Sequence, residues 1–380
     1  MSGGAGASTE RVRRVVGCMT GTSIDGLDVA LVEVRGTGLE MQCRVLRLGT
    51  RELGALQQPL RAFADGAAMT AGAVATLAHD FGVLHAEAIA ELLAGERADL
   101  VCVHGQTVFH KPPVSWQLLN PWPVVQRVGA RVVYDLRGAD LAAGGQGAPI
   151  TPIADAVLLG SRPDFVGGLA SGFAVVNLGG FANFTAVPAA GGKSLADRLG
   201  TIQGGDVCVC NQLLDRIARE RLGVAFDADG ARAAAGRVDA AACEQLVAMI
   251  RPSEQGRSLG SGDESFAWVE QTRASLGGED AAATACEAIG RVIAESLRGL
   301  ETVLLAGGGA RNNALAAAIA RHGKGSGGQV RLIDDFGIAA THREAIEFAV
   351  LGALCEDRVA ITLPAVTGVG VAPISGAWAG

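Results

Sequence analysis

Two duplicated α/β lobes are the fold class this sequence predicts. Three observations lead there. "VVGCMTGTSIDGLDVALVEV", Val15 to Val34, and "FAVVNLGGFANFTAVP", Phe173 to Pro188, share one plan: apolar strand, polar Gly turn, second strand. Their offset of about 160 residues suits a repeated lobe and is far too long for a solenoid repeat. Strands alternate with helical stretches in both halves. The 54 glycines are clustered rather than periodic, as tight turns and backbone-lined sites require. With 380 residues, 49% of them apolar, the chain can bury two cores.

The elements follow in order. Alternation from Leu27 to Val34 supports the second strand of the first hairpin. A helix is predicted from Ala71 to Glu96, with Val74, Leu77, Phe81, Leu84, Ile89 and Leu92 near one face. "ADLVCVHG", Ala98 to Gly105, reads as a short apolar strand. In the second half Ile289, Val292, Ile293, Leu297 and Leu300 keep helical spacing. "ETVLLAGGGARNN" is a buried strand ending in a triple Gly, and "HGKGSGGQ" from His322 is a surface loop. Gly and Ala density rises at "DLRGADLAAGGQGAP", which divides the chain. The N-terminal lobe is placed at 1–140, joined by the tail 364–380, and the C-terminal lobe at 141–363.

Composition excludes several classes. A net charge of −7 leaves no electrostatic footprint for nucleic acid. No apolar run reaches the length of a membrane helix, and the apolar run before Thr20 is too short for a signal peptide. The first dozen residues read as a disordered leader, with "RVRR" a solvated run before the first strand. The 8 cysteines form no C-x-x-C pair, which argues against zinc and for reduced thiols in a cytoplasm.

Three Gly turns carry candidate chemistry. In "TGTSIDG", Gly21 exposes backbone N–H groups, Thr22 and Ser23 add hydroxyls for a phosphate, and Asp25 can hold magnesium through water. In "NLGGFANFT", Gly179 and Gly180 let a phosphate approach, with Asn177 and Asn183 around it. In "LLAGGGARNN", Gly307, Gly308 and Gly309 sit where a strand opens onto a helix, a junction that passes close to a nucleotide. This third turn lacks G-x-G-x-x-G, and the sequence has no G-x-x-x-x-G-K-[ST] loop. Two hairpin turns and a late Gly turn suit the cleft between the ribonuclease H-like lobes of the actin–hexokinase superfamily.

The ordered set "MTGTSIDGLDVAL", "HGQTVFH" with "WQLLNP", "YDLRGADLAAGGQGAPITP", "VVNLGGFANFT", "FDADGARAAAGRVD", "AGGGARNN" and "LPAVTG" resembles the anhydro-N-acetylmuramic acid kinase family from about residue 15 to 370. The resemblance implies ATP- and magnesium-dependent phosphorylation of a 1,6-anhydro sugar, with hydrolysis of the internal bridge in the same event. It brings a homodimer as the expected assembly, and no partner of nucleic acid or membrane. It places the catalytic base at Asp206, in "GDVCVCN". There Gly205 replaces a Phe, and Cys208, Val209 and Cys210 replace Gly-Pro-Gly.

The same resemblance implies ATP contacts at Gly21, Thr22, Ser23, Asp25, Asn177, Gly179, Gly180, Gly307, Gly308, Gly309 and Asn312. It implies sugar contacts at Gln106, Thr107, Gln117, Arg137 and Asp140. Glu344 matches an acid on a late family helix. Gly138 and Ala139 follow Arg137 where the family is Arg-rich, and Asp263 in "SGDESF" stands where the family has Arg. These lost charges keep open a smaller anhydro sugar such as levoglucosan, which lacks the lactyl acid. The lost Gly-Pro-Gly keeps open a non-catalytic sugar- or nucleotide-binding protein on the same scaffold. Asp206 alone also reads as a turn or N-cap acid. His104 and His110 read as structural histidines, Cys208 and Cys210 as core residues, and Trp116 either as a stacking platform for a sugar or as packing beside Pro112 and Pro113.

Overall fold

The structure is a computed structural model describing residues 11–21, 24–160, 171–251, 263–323 and 329–380. Thr22, Ser23, most of the leader, Ser261 and the centre of the His322 loop lie outside the described residues. The chain divides into two compact units. The first comprises Met1–Pro163, Leu195–Leu199 and Glu344–Gly380; the second comprises Asp164–Ser194 and Gly200–Arg343.

In the first unit, β1 (Val12–Met19), β2 (Gly26–Arg35) and β3 (Gln42–Glu52) form an antiparallel meander. On the other side of β1 lie β4 (Leu100–Val103), a separate hairpin of β5 (Gln106–Lys111) and β6 (Val114–Leu118) in sequence, and then β7 (Arg131–Tyr134). β4 pairs parallel with β1, and β7 parallel with β4. In the second unit, β8 (Gly172–Leu178), β9 (Phe181–Pro188) and β10 (Gln203–Val209) repeat the meander. β11 (Thr302–Ala306) and β12 (Gln329–Leu332) repeat the parallel pair. A last strand, β13 (Ala377–Ala379), closes the first sheet against β7. The orders β3-β2-β1-β4-β7 and β10-β9-β8-β11-β12 are the same five-strand topology. The duplication read from two Gly hairpins is therefore a duplication of whole sheets.

The strands follow from their residues. β4 and β11 lie between parallel neighbours, so both faces are covered and all their residues are buried. The predicted helix spans Ala71–Leu93, capped by Thr70, whose hydroxyl accepts from the Ala73 N–H at 3.2 Å. Phe81 and Ile89 are buried in the first core. The helix Gly278–Ser296 carries Ile289, Val292 and Ile293 into the second.

Three features differ from the sequence reading. "RVRR" is part of β1, and Arg13 is buried. Its guanidinium reaches Glu356 at 2.8 Å and both Asp357 oxygens at 2.7 and 2.8 Å. Those partners lie at the far end of the chain, where no charge pattern could point to them. The first unit continues past residue 140, because the helix Pro152–Gly160 is buried within it. It takes back the chain at 344 rather than 364, because the helix Arg343–Glu356 lies on its sheet. At Gly17 a Cβ would stand 2.0 Å from the Ala345 carbonyl oxygen and 2.3 Å from the Ala349 nitrogen. Only a glycine lets strand and helix backbones meet this closely.

Gly17→Ala should therefore destabilise the protein by about 3 kcal/mol, forcing helix and sheet apart. Thermal or urea unfolding checks this. A variant as stable as the parent would show that the contact is loose.

Candidate active site

In the second unit the Gly turns meet. The carbonyls of Gly179 and Gly180, between β8 and β9, accept from the N–H groups that open the helix Asn211–Ile217. Asn211 N donates to Gly179 O at 3.0 Å; Cys210 N and Gln212 N donate to Gly180 O at 2.9 and 3.2 Å. A helix start leaves such donors orphaned, and here the hairpin supplies the acceptors. The Asn211 side chain adds a bond from Nδ2 to Leu178 O at 2.9 Å. The late Gly turn packs on the same spot. A Cβ at Gly307 would meet Asn177 Oδ1 at 2.5 Å, and one at Gly309 would meet Asn211 Oδ1 at 2.7 Å. Gly307 also has a φ of +77°, which disfavours any side chain. Gly308 has open space at its Cβ position.

Three polar residues form a row across this sheet. Asn177 of β8 pairs with Asn183 of β9, which pairs with Asp206 of β10. Directly opposed residues point to one face, so their side chains stand side by side. Asp206 is open to solvent, yet the surrounding protein raises its carboxyl pKa above the ordinary value by desolvation. Among the described residues its carboxylate has no hydrogen-bond or ionic partner. A β-bulge between Asp206 and Cys208 makes the bend that leads into the helix. Cys208 and Cys210 are fully buried in the core, and burial pushes the Cys208 thiol up to about 12. Among the described residues no group of His, Cys, Asp and Glu could hold a metal by itself.

Asn312 does not present its side chain as a free ligand. Its Oδ1 caps the helix Asn313–Gly323 by accepting from Leu315 N at 3.0 Å, and its Nδ2 reaches Cys286 Sγ at 3.8 Å.

The first unit holds a second cluster. His104 follows β4 and is buried. Its Nδ1 is 2.8 Å from Gly105 O, and its Nε2 is 3.2 and 3.0 Å from Arg137 Nε and Nη2. Arg137 Nη1 also donates to Gly147 O at 2.9 Å. Burial lowers the Arg137 guanidinium to about 10, while Glu344 acts to raise it. Burial, then Arg137, lowers His104 to about 3, so its ring is neutral at pH 7. His110 is lowered by the same two causes in the same order. Gln106 is buried; its Nε2 donates to Thr107 O at 3.2 Å, while its Oε1 has no partner among the described residues. Gln117 lies opposite Thr107 in the β5–β6 hairpin and donates to its hydroxyl at 3.3 Å. Trp116 meets Phe63 edge to face at 5.7 Å and stays half exposed.

Asp140 is fully buried. It accepts from Gly147 N at 2.8 Å and from Thr367 Oγ1 at 2.9 Å. Its carboxylate thus clasps the loop after Arg137 and the "LPAVTG" segment instead of facing a ligand. Gly21 and Asp25 lie at the β1–β2 turn, where Ile24 N donates to Gly21 O at 3.1 Å. Asp25 is exposed there. The role of His104 escaped the sequence reading. An isolated histidine carries no signal of its partner, although its place in "HGQT", ahead of an Arg-bearing motif, was visible.

Two units that repeat one five-strand topology, each with a Gly turn between its first two strands, define the duplicated fold of the actin–hexokinase class. A family model described as anhydro-N-acetylmuramic acid kinase matches residues 13–379. The anhydro-N-acetylmuramic acid kinase of Prochlorococcus marinus (strain MIT 9303) is 34% identical over 362 residues, covering 89% of this chain and 92% of that protein. That of Xanthomonas axonopodis pv. citri (strain 306) is 34% identical over 376 residues, covering 93% and 94%. The chain belongs to the anhydro-N-acetylmuramic acid kinase family. Among solved structures, the ADPNP-bound activator of the 2-hydroxyisocaproyl-CoA dehydratase from Clostridium difficile aligns with a TM-score of 0.44 at 12% identity, covering 90% of this chain and 94% of that one.

Gly307→Ala should cost about 2 kcal/mol, through the clash with Asn177 and the positive φ. Chemical denaturation monitored at Trp268, which is buried in the second core, reads this loss. An unshifted midpoint would mean that the turn relaxes freely.

Proposed function

We propose that the protein uses ATP to open 1,6-anhydro-N-acetylmuramic acid and phosphorylate its O6, in the recycling of cell-wall sugar. The observation that carries this reading is the Asp206 carboxylate: without a partner among the described residues, raised in pKa, and held in a polar row beside the Gly turns. In the proposed reaction Asp206 takes a proton from water as the water oxygen bonds to the anomeric carbon. The bond from that carbon to the bridging oxygen breaks, and the freed O6 bonds to the γ-phosphorus. The γ-phosphorus–oxygen bond to ADP breaks in turn. Anhydro sugar, water and ATP give sugar 6-phosphate, ADP and a proton. The Gly turns bring backbone close to the phosphates, as phosphoryl transfer requires.

The proposed ATP contacts are Gly21, Thr22, Ser23, Asp25, Asn177, Gly179, Gly180, Gly307, Gly308 and Gly309. Asn312 supports the last turn as a helix cap. Gln106, Thr107, Gln117 and Arg137 are the proposed sugar contacts, and Asp140 shapes their loop. The exposed single carboxylate of Asp25 fits a magnesium ion bound largely through water and phosphate. Bound there, magnesium would neutralise charge on the transferring group. No described helix is long and apolar enough to cross a membrane. The free cysteines, mostly buried, suit the reducing cytoplasm in which we place the protein. Sedimentation would read whether it forms the homodimer expected from its resemblance.

The lost Gly-Pro-Gly does not argue for a non-catalytic protein. The bulge supplies the bend, and the replacing thiols point into the core.

Asp206→Asn should lower kcat by about 10³-fold. The acid limb of the parent's kcat/KM profile should lie above the ordinary carboxylate pKa, with activity lost as pH falls through it. The Asn variant should lack that limb. A raised pKa means that the ionised carboxylate opposes folding at neutral pH, so the variant should melt no lower than the parent. Near-parental turnover in the variant would sink the assignment. Parallel ADP-release assays should favour 1,6-anhydro-N-acetylmuramic acid over levoglucosan; the reverse preference would move the substrate to the smaller sugar.

A further inference from the structure

Arg137 is a partly buried cation held by an unusual partner. Its Nε–H and one Nη2–H converge on His104 Nε2. An imidazolium could not receive them, because both of its nitrogens donate. The ring's other nitrogen faces Gly105 O, which can only accept, so the ring proton sits on Nδ1. Nε2 is left as a bare acceptor. Two further contacts hold the residue, one on the ring and one on its backbone. Phe348 lies against it at 4.9 Å between centroids, and the His104 backbone N–H donates to Cys18 O of β1 at 3.2 Å. Gly147 O takes one Nη1–H. Of the five guanidinium N–H groups, one on each Nη remains without a partner among the described residues.

We propose that His104 is a positioning residue, whose neutral imidazole clamps the side edge of the Arg137 guanidinium and leaves its two remaining Nη hydrogens for the carboxylate of the sugar. A carboxylate in this role would itself be a partner to Arg137 and would compete with the acidic group of the substrate. A neutral acceptor orients the cation without spending its charge. Glu344 contributes charge to Arg137 but no hydrogen bond to it among those observed. The inference rests on the proposed function for its substrate, while the His104–Arg137 pair itself is present in the free protein.

Two measurements test it. Side-chain ¹⁵N spectra of the full chain at pH 7, assigned with His104→Gln, should show His104 protonated on Nδ1 with a bare Nε2. A ring protonated on Nε2, or on both nitrogens, overturns the clamp whatever the protein's activity. In steady-state assays, His104→Ala should raise KM for 1,6-anhydro-N-acetylmuramic acid about tenfold, the loss of one charge-assisted hydrogen bond. KM for ATP should move less than about twofold. His104→Gln, whose amide oxygen can replace Nε2, should recover most of the loss. In an Arg137→Ala background, His104→Ala should add almost nothing, since the two act as one. A rise confined to ATP, equal rises for both substrates, or full additivity in the double variant would overturn the proposal. Absence of turnover by the parent would fail the proposed function and leave the ¹⁵N result standing.

Discussion

The second unit depends on backbone hydrogen bonds between a Gly hairpin and a helix start. The carbonyls of Gly179 and Gly180 receive the N–H groups of Cys210, Asn211 and Gln212. This ties the turn of β8–β9 to the end of β10, the strand that carries Asp206. Had those donors been left bare, the helix start would have attracted water or an anion. Capped by the sheet, it becomes a fixed support. Asn211 adds its strap to Leu178, and Gly307 and Gly309 pack against Asn177, Leu178 and Asn211 because they have no side chains. The row Asn177–Asn183–Asp206 is then set by strand register alone.

The first unit solves its own problem by a polar chain. Cys18 holds the His104 backbone, and His104 receives Arg137. Arg137 donates to Gly147, whose N–H goes to Asp140, whose other oxygen accepts from Thr367. Every link is a hydrogen bond of ordinary length, and most of the groups are buried, where an unmade bond is expensive. Three sequence motifs far apart in the chain thereby become one structural object. The partly buried guanidinium is tolerable because its donors are partly satisfied and Glu344 supplies opposite charge.

Much of this was legible in the sequence. Strand-turn-strand patterns and glycine clusters report backbone chemistry, which is local, and both hairpins were read from them. Polar motif residues were harder. Asp140 and Asn312 belong to the family pattern, but their side chains turn inward, one as a clasp and one as a cap. A motif says that a residue type is needed and does not say which way it faces. Arg13 was misread because its partners, Glu356 and Asp357, close a contact across the length of the chain. β3 has many half-exposed residues and β13 only three, so neither shows a clear hydrophobic period. The cysteines that replace Gly-Pro-Gly looked like damage to a catalytic loop. The bulge beside Asp206 shows that the bend has a different cause in this chain.

The central claim is that ring opening and phosphoryl transfer are one event governed by the carboxylate of Asp206. Real-time NMR of the parent protein with ATP, magnesium and 1,6-anhydro-N-acetylmuramic acid tests this most directly, following ¹H of the sugar and ³¹P together. The account predicts one sugar 6-phosphate for each ADP, with no opened but unphosphorylated sugar at any time. ADP formed without sugar phosphate, or free opened sugar preceding phosphorylation, would contradict it.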